Sequence, residues 1–333
     1  MKFTMERTSI AALCLTLTLF VLPASAVTNE LVGSSESHSI EKFDSNGNWI
    51  KTFASTGPWI PFGIAASPVT EDVFVVTNTS TNILRYKKSG ASFGPKGSYW
   101  STFALPSAAN GNPAQSLLFD SSGNLYVSTA YGSDPGYQVE IFKYSPKELL
   151  KMSPSPTGSP IITTAGRGDQ MAWDAFGNIC VASFIVPNTV QCYNPGTGAL
   201  AFDYASEIQA QGIQPDGLAF GPNNNLTVNS LFTGEIWVET TERVGPMTLV
   251  ASGMVHDLGW LAVDSDGKLY TPSYHDPEDR YNGPDPYDCT FYACMDTDFS
   301  SDLIYKVDPS SGAVTNFITS HIWGPYQMIF VQF

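Results

Sequence analysis

Asp169 and Asp216 are the residues of this chain best placed to do chemistry, because each opens the same kind of segment. Asp169-Gln170-Met171-Ala172-Trp173-Asp174 and Asp216-Gly217-Leu218-Ala219-Phe220-Gly221 both lead from a carboxylate into an apolar strand. If the two segments are neighbouring copies of one structural unit, their carboxylates converge. Converging carboxylates repel unless a proton or a divalent cation lies between them. Calcium, which takes oxygen ligands, suits such a pair; the plainer alternative is two solvated loop acids. Asp169 and Asp216 are therefore the candidate metal ligands, and Asp216 is also a candidate catalytic residue. Gln115 takes the matching place in Gln115-Ser116-Leu117-Leu118-Phe119-Asp120, and Phe62, Gly259 and Tyr326 complete a set of six. Within that set Gln115 and Tyr326 are candidate ligand-binding residues.

The histidines give a second indication. His38 and His275 fall in connections after a second strand, whereas His256 and His321 precede first strands. All four are expected on one face. An imidazole there can ligate a metal or move a proton near neutral pH. His256 is the candidate proton carrier beside Asp216, and His275, His321 and Trp323 are candidate ligand contacts. Other aromatics, among them Trp59, Tyr131 and Phe232, either line a cleft or fill the core. Residues 274–302 form a long acidic insertion holding Cys289 and Cys294. Oxygen-rich segments suit calcium, but no EF-hand spacing is present. There is no G-x-S-x-G nucleophile elbow and no phosphate-binding glycine loop.

The elements that must position these residues repeat. Gly-Asn-Leu-Tyr-Val at 123–127, Gly-Asn-Ile-Cys-Val at 177–181, Asn-Asn-Leu-Thr-Val at 224–228 and Gly-Lys-Leu-Tyr-Thr at 267–271 each follow an apolar first strand and a tight turn. Gly123, Gly177, Asn224 and Gly267 share the turn position where a positive φ is expected, and Asn tolerates it best after Gly. A third strand and then a fourth follow in each unit. Four antiparallel strands repeating at roughly 45–55 residues make a propeller blade. Five blades are complete. The remaining strands are one at the C-terminus, 326–333, and three at the N-terminus, 30–33, 39–43 and 49–53, the last two joined at Asn46-Gly47. Together they form a sixth blade, which leaves no strand edge open. The fold class expected is all-β, a six-bladed β-propeller closed by one C-terminal and three N-terminal strands. A β-sandwich is the alternative, but it does not demand a four-strand period.

The strand–turn–strand segments resemble the NHL repeat, most closely at Asp174-Ala175-Phe176-Gly177-Asn178-Ile179-Cys180-Val181 and Asp264-Ser265-Asp266-Gly267-Lys268-Leu269-Tyr270. Through that pattern the chain distantly resembles the senescence marker protein/gluconolactonase family. The resemblance implies a divalent metal at the channel mouth, held by an Asn and an Asp opening adjacent first strands and by a Glu two blades on. Asp216 in Pro215-Asp216-Gly217-Leu218 looks like that Asp, Asp169 stands where the Asn would be, and Gln115 stands at another Asn position. Tyr326 stands in place of the Glu, a departure that leaves the site half matched. Paraoxonase-like lactonases and streptogramin lyases share the shape, as do many non-catalytic modules.

Composition sets the surroundings. The formal net charge of −15 argues against nucleic acid and anionic membranes as partners. Residues 1–26 read as a secretory signal peptide: Lys2 and Arg7, an apolar run, then Ala24-Ser25-Ala26. Residues 27–333 are then the mature propeller, secreted or periplasmic, with no membrane anchor expected. Cys180, Cys192, Cys289 and Cys294 remain after cleavage and are expected as two disulfides, 180–192 and 289–294. Two functions stay open. One is binding of a small polar or carbohydrate-like ligand on the mouth face, extended to metal-dependent, lactonase-like hydrolysis. The other is a non-catalytic extracellular module that binds another protein.

Overall fold

The computed structural model describes residues 28–34, 38–77, 82–91, 103–104, 114–131, 137–151, 159–166, 168–184, 188–243, 245–254, 258–273, 302–322 and 324–332. The expected signal peptide, the insertion short of Asp302, and Cys289 and Cys294 lie outside them. So do three expected site residues, His256, His275 and Trp323.

Short runs of alternating and β-branched residues form six four-stranded antiparallel sheets. The chain enters through β1 (Thr28–Ser34), β2 (Ser39–Asp44) and β3 (Trp49–Ser55). Blade one follows with β4 (Pro61–Ala66), β5 (Val73–Thr77), β6 (Asn82–Tyr86) and β7 (Phe103–Ala104). Blade two holds β8 (Ala114–Phe119), β9 (Leu125–Tyr131), β10 (Gln138–Tyr144) and β11 (Ile162–Ala165), with helix α1 (Pro146–Leu149) before its last strand. Blade three holds β12 (Met171–Trp173), β13 (Ile179–Ser183), β14 (Thr189–Tyr193) and β15 (Leu200–Asp203), and helix α2 (Ala205–Ala210) leads onward. Blade four is β16 (Pro215–Phe220), β17 (Leu226–Ser230), β18 (Glu235–Glu239) and β19 (Met247–Ala251). Blade five is β20 (Ala262–Val263), β21 (Leu269–Ser273), β22 (Leu303–Asp308) and β23 (Ala313–Ile318). Finally β24 (Pro325–Gln332) pairs with β1 in the order β24-β1-β2-β3, which closes the ring as expected. No helix among the described residues is long and apolar enough to cross a membrane.

The core is divided among the seams between blades. Six apolar clusters form; five join side chains of two adjacent blades, and the sixth joins blades one and two with Trp260 of blade five and Tyr326 of blade six. Leu31 and Ile40 of blade six, for instance, meet Ile64, Val73 and Val75 of blade one. The turns after first strands adopt the expected geometry, with φ of 81° at Gly123, 77° at Gly177 and 77° at Gly267, and 59° at Asn224. The aspartates of these turns have structural work: Asp120 and Asp174 each accept backbone N–H groups two and four residues on.

A second device repeats between the second and third strands. Phe74 faces Arg85, Tyr126 faces Lys143 and Tyr270 faces Lys306, with each cation 5.1–5.4 Å from its ring centroid. In blade three the same two positions are Cys180 and Cys192, which pair directly and are bonded as a disulfide, as expected. At the outer seams, the turn before a fourth strand packs on the fourth strand's backbone in the preceding blade. Gly47, Gly90, Gly198 and Gly312 lie too close to the carbonyls of Phe317, Phe53, Ile161 and Val250 to accept a Cβ. In blade four Arg243 takes over that seam, pairing with Asp174 at 2.5 Å and lying 4.0 Å from the ring centroid of Phe176.

Candidate active site at the channel mouth

First strands begin on the face where second strands end, and their opening residues encircle the axis. At three of them the ladder skips a residue: between Pro61 and Gly63, between Ala114 and Leu117, and between Pro215 and Leu218. A bulge re-aims the side chains at its position. In blades two and four the backbone N–H released by the bulge is taken by the opposing side chain. Ser116 donates to Ser128 Oγ at 3.0 Å, and Gly217 donates to Asn229 Oδ1 at 2.7 Å. The bulges that present Gln115 and Asp216 are thus built into their blades.

Of the six opening positions Gln115, Asp169 and Asp216 are polar, and Phe62, Gly259 and Tyr326 form an aromatic side completed by Trp260, the residue after Gly259. Phe62 and Tyr326 stack with ring centroids 3.8 Å apart, and Trp260 meets both edge-on at 5.3 and 5.4 Å. Trp260 is fully buried and reaches blade one, where its ring lies 3.1 Å from the place a Cβ on Gly63 would take. On the polar side Asp169 and Asp216 are both 0 % exposed and Gln115 is 8 % exposed. Gln170 bridges inner strands: its Oε1 accepts from Leu218 N and Leu261 N, both at 2.9 Å, and its Nε2 donates to the Leu261 carbonyl at 2.8 Å. At the inner strands Gln170 thus joins blades three, four and five, and Trp260 joins blades five, six and one.

Whether this mouth suits a divalent cation turns on its donor atoms. Gln115 Oε1 is buried and accepts no hydrogen bond. Such an oxygen costs about 1–3 kcal/mol unless a donor or cation reaches it. It stands in the blade next to the first of two fully buried carboxylates. Two carboxylates and an amide oxygen are the ligand chemistry of calcium. Tyr326 brings no carboxylate where the family has a Glu, and its ring stacks on Phe62. In chemistry these residues fit an oxygen-ligated cation, which would take further ligands from water or substrate. Elsewhere among the described residues the cluster Asp174, Cys180 and Cys192 has ligand-like spacing, but its cysteines are disulfide-bonded.

The described histidines stand apart from the mouth residues. His321 is exposed and stacks on Trp49 of β3 at 4.5 Å, on the outer seam between blades five and six. His38 bonds the Gly57 carbonyl at 3.1 Å and has a φ of 49°. The aromatic packing of Tyr326 and Phe62 and the bridging of three blades each by Gln170 and Trp260 are not visible in the sequence. A further pattern is visible there. Every second strand carries a hydroxyl at its mouth end: Ser34, Thr77, Thr129, Ser183, Ser230 and Ser273. Of these, Thr77 Oγ1 and Ser273 Oγ are buried with no hydrogen-bond partner.

No protein-family model matches the chain, and no curated protein matches it in sequence. Solved structures do resemble it. A protein of unknown function from Bacteroides caccae has a TM-score of 0.62 at 14% identity, covering 92% of this chain and 100% of its own. A chain of a nidogen/laminin complex has a TM-score of 0.62 at 11% identity, covering 91% and 98%. The periplasmic gluconolactonase of Pseudomonas aeruginosa has a TM-score of 0.53 at 15% identity, covering 92% and 99%. At such identities the shared property is the fold: this chain is a six-bladed β-propeller, built as these three are.

Proposed function

We propose that the chain binds a small molecule at the mouth over blades two to four and opens an ester or lactone bond in it. A divalent cation, calcium, would be held there by Asp169, Asp216 and the Gln115 amide oxygen. One observation carries this reading: a buried acceptor with no donor stands beside two fully buried carboxylates, in a ring whose other half is packed aromatic side chains. When bound, the cation would polarise the carbonyl under attack. The chain's own residues would do the rest. A carboxylate accepts a proton from the attacking water as its oxygen bonds to the carbonyl carbon. The ring C–O bond breaks, and the proton passes to the departing oxygen to give a hydroxy acid. The shape shared with a periplasmic gluconolactonase agrees with this reading. A secreted or periplasmic setting agrees with the buried Cys180–Cys192 disulfide.

Tyr326 in place of a carboxylate favours the other reading, a non-catalytic module that binds a protein partner on this face. Hydrolysis of δ-gluconolactone and γ-butyrolactone, followed as acid release with and without calcium, separates the two. The catalytic reading expects calcium-dependent turnover that falls at least about a hundredfold in Asp216→Asn. Rates equal to spontaneous hydrolysis, or an unchanged variant, would leave the binding module.

A further inference from the structure

Phe184 and Phe232 leave the second strands of the two blades that carry the acids. Asp169 donates its N–H to the Ala182 carbonyl at 3.0 Å, two residues before Phe184. Pro215, beside Asp216, pairs with Ser230, two residues before Phe232. Leu231 then donates to the Gln214 carbonyl at 3.0 Å, which holds the start of that connection against the strand of Asp216. Across the boundary between blades three and four the two rings meet edge-on, with centroids 6.0 Å apart. Phe232 is 38 % exposed. Other exposed apolar side chains among the described residues lie on outermost strands, as Trp49 and Leu249 do, or in turns of the opposite face, as Phe176 and Val69 do. Phe232 is the one on the mouth face, and it stands beside the polar half of the ring. The aromatic half, by contrast, has its apolar surface packed away.

We infer that Phe184 and Phe232 form an apolar subsite beside the acids, so that the ligand carries an alkyl or aryl arm next to its polar, oxygen-rich head. This inference rests on the mouth being a small-molecule site. It narrows the ligand from bare polyols to amphipathic lactones or esters. A pocket that buries an arm gains with each methylene removed from water, about fourfold in affinity when burial is complete.

The test is calorimetric binding, in the presence of calcium, of δ-lactones whose side chain grows from none to five carbons, with δ-gluconolactone as the polar reference. The full-length protein is compared with Phe232→Ala and with Phe232→Leu, which keeps an apolar side chain. Affinity should rise at least about twofold per carbon in the wild type and in Phe232→Leu, and lose most of that slope in Phe232→Ala. No dependence on chain length while δ-gluconolactone still binds would overturn the apolar subsite and leave the mouth reading intact. An unchanged slope in Phe232→Ala would overturn it equally. If no lactone binds at all, the mouth reading itself fails and the subsite fails with it.

Discussion

A carboxyl group removed from water keeps its proton, and Glu30 is such a group. It is 2 % exposed on β1, and burial, reinforced by the nearby Asp44 charge, pushes its pKa up to about 8. The folded state therefore binds this proton more tightly than the unfolded chain, whose Glu titrates near 4.5. Stability from this group is complete below about pH 4.5 and is lost as pH rises through about 8. The melting temperature should fall across that window, and Glu30→Gln should flatten the fall. An equal slope in both proteins would assign the pH dependence to other groups. At this scale the position of the acids was legible, because Asp169 and Asp216 open recognisable repeats. Their complete burial was hidden, and so was the bridging by Gln170, whose side chain bonds residues about 50 and 90 positions away. His321 shows the opposite failure: it precedes a first strand, yet blade geometry carries it to the outer seam beside Trp49.

Strands and turns were legible because each depends on local pattern. The third strands Thr189–Tyr193 and Glu235–Glu239 have the bounds that alternation implies, and Cys180 stands opposite Cys192 because both lie equally far from one connection. In that blade the disulfide replaces the aromatic–cation pair of blades one, two and five. Its closed loop, with a sequence separation of 12, is worth about 3 kcal/mol in the chain-entropy model. Replacing both cysteines by Ala should lower the denaturation midpoint accordingly. A midpoint unchanged by the double replacement would mean that strand packing alone holds the blade. Outer-seam contacts were not legible, since they join a turn to a strand of another blade. Gly90 has a φ of 84°, and a Cβ there would overlap the Phe53 carbonyl. Gly90→Ala should therefore cost more than the ~1–2 kcal/mol of backbone strain alone. A variant as stable as the parent would show that the seam yields easily.

Ring closure belongs to the whole molecule, and it was legible because the count of strands left one C-terminal and three N-terminal pieces over. β24 pairs with β1 along nearly its whole length, from Thr28 opposite Gln332 to Ser34 opposite Pro325. It also contributes Tyr326 to the aromatic side of the ring and Gln327, whose Oε1 accepts from Ile64 N of blade one. Removing residues 325–333 should therefore abolish cooperative unfolding; a truncated chain that melts like the parent would contradict closure by this strand. The closed ring matters because the proposed meeting of the two buried carboxylates and Gln115 at one mouth depends on it. Calcium binding followed by thermal unfolding tests that convergence most directly, comparing the wild type with Asp169→Asn/Asp216→Asn. A cation bound only by the folded state adds about 3 kcal/mol at a hundredfold excess over its dissociation constant. Calcium should raise the wild-type melting temperature and leave that of the double variant unchanged. Equal stabilisation of both proteins, or of neither, would contradict a cation site at the mouth.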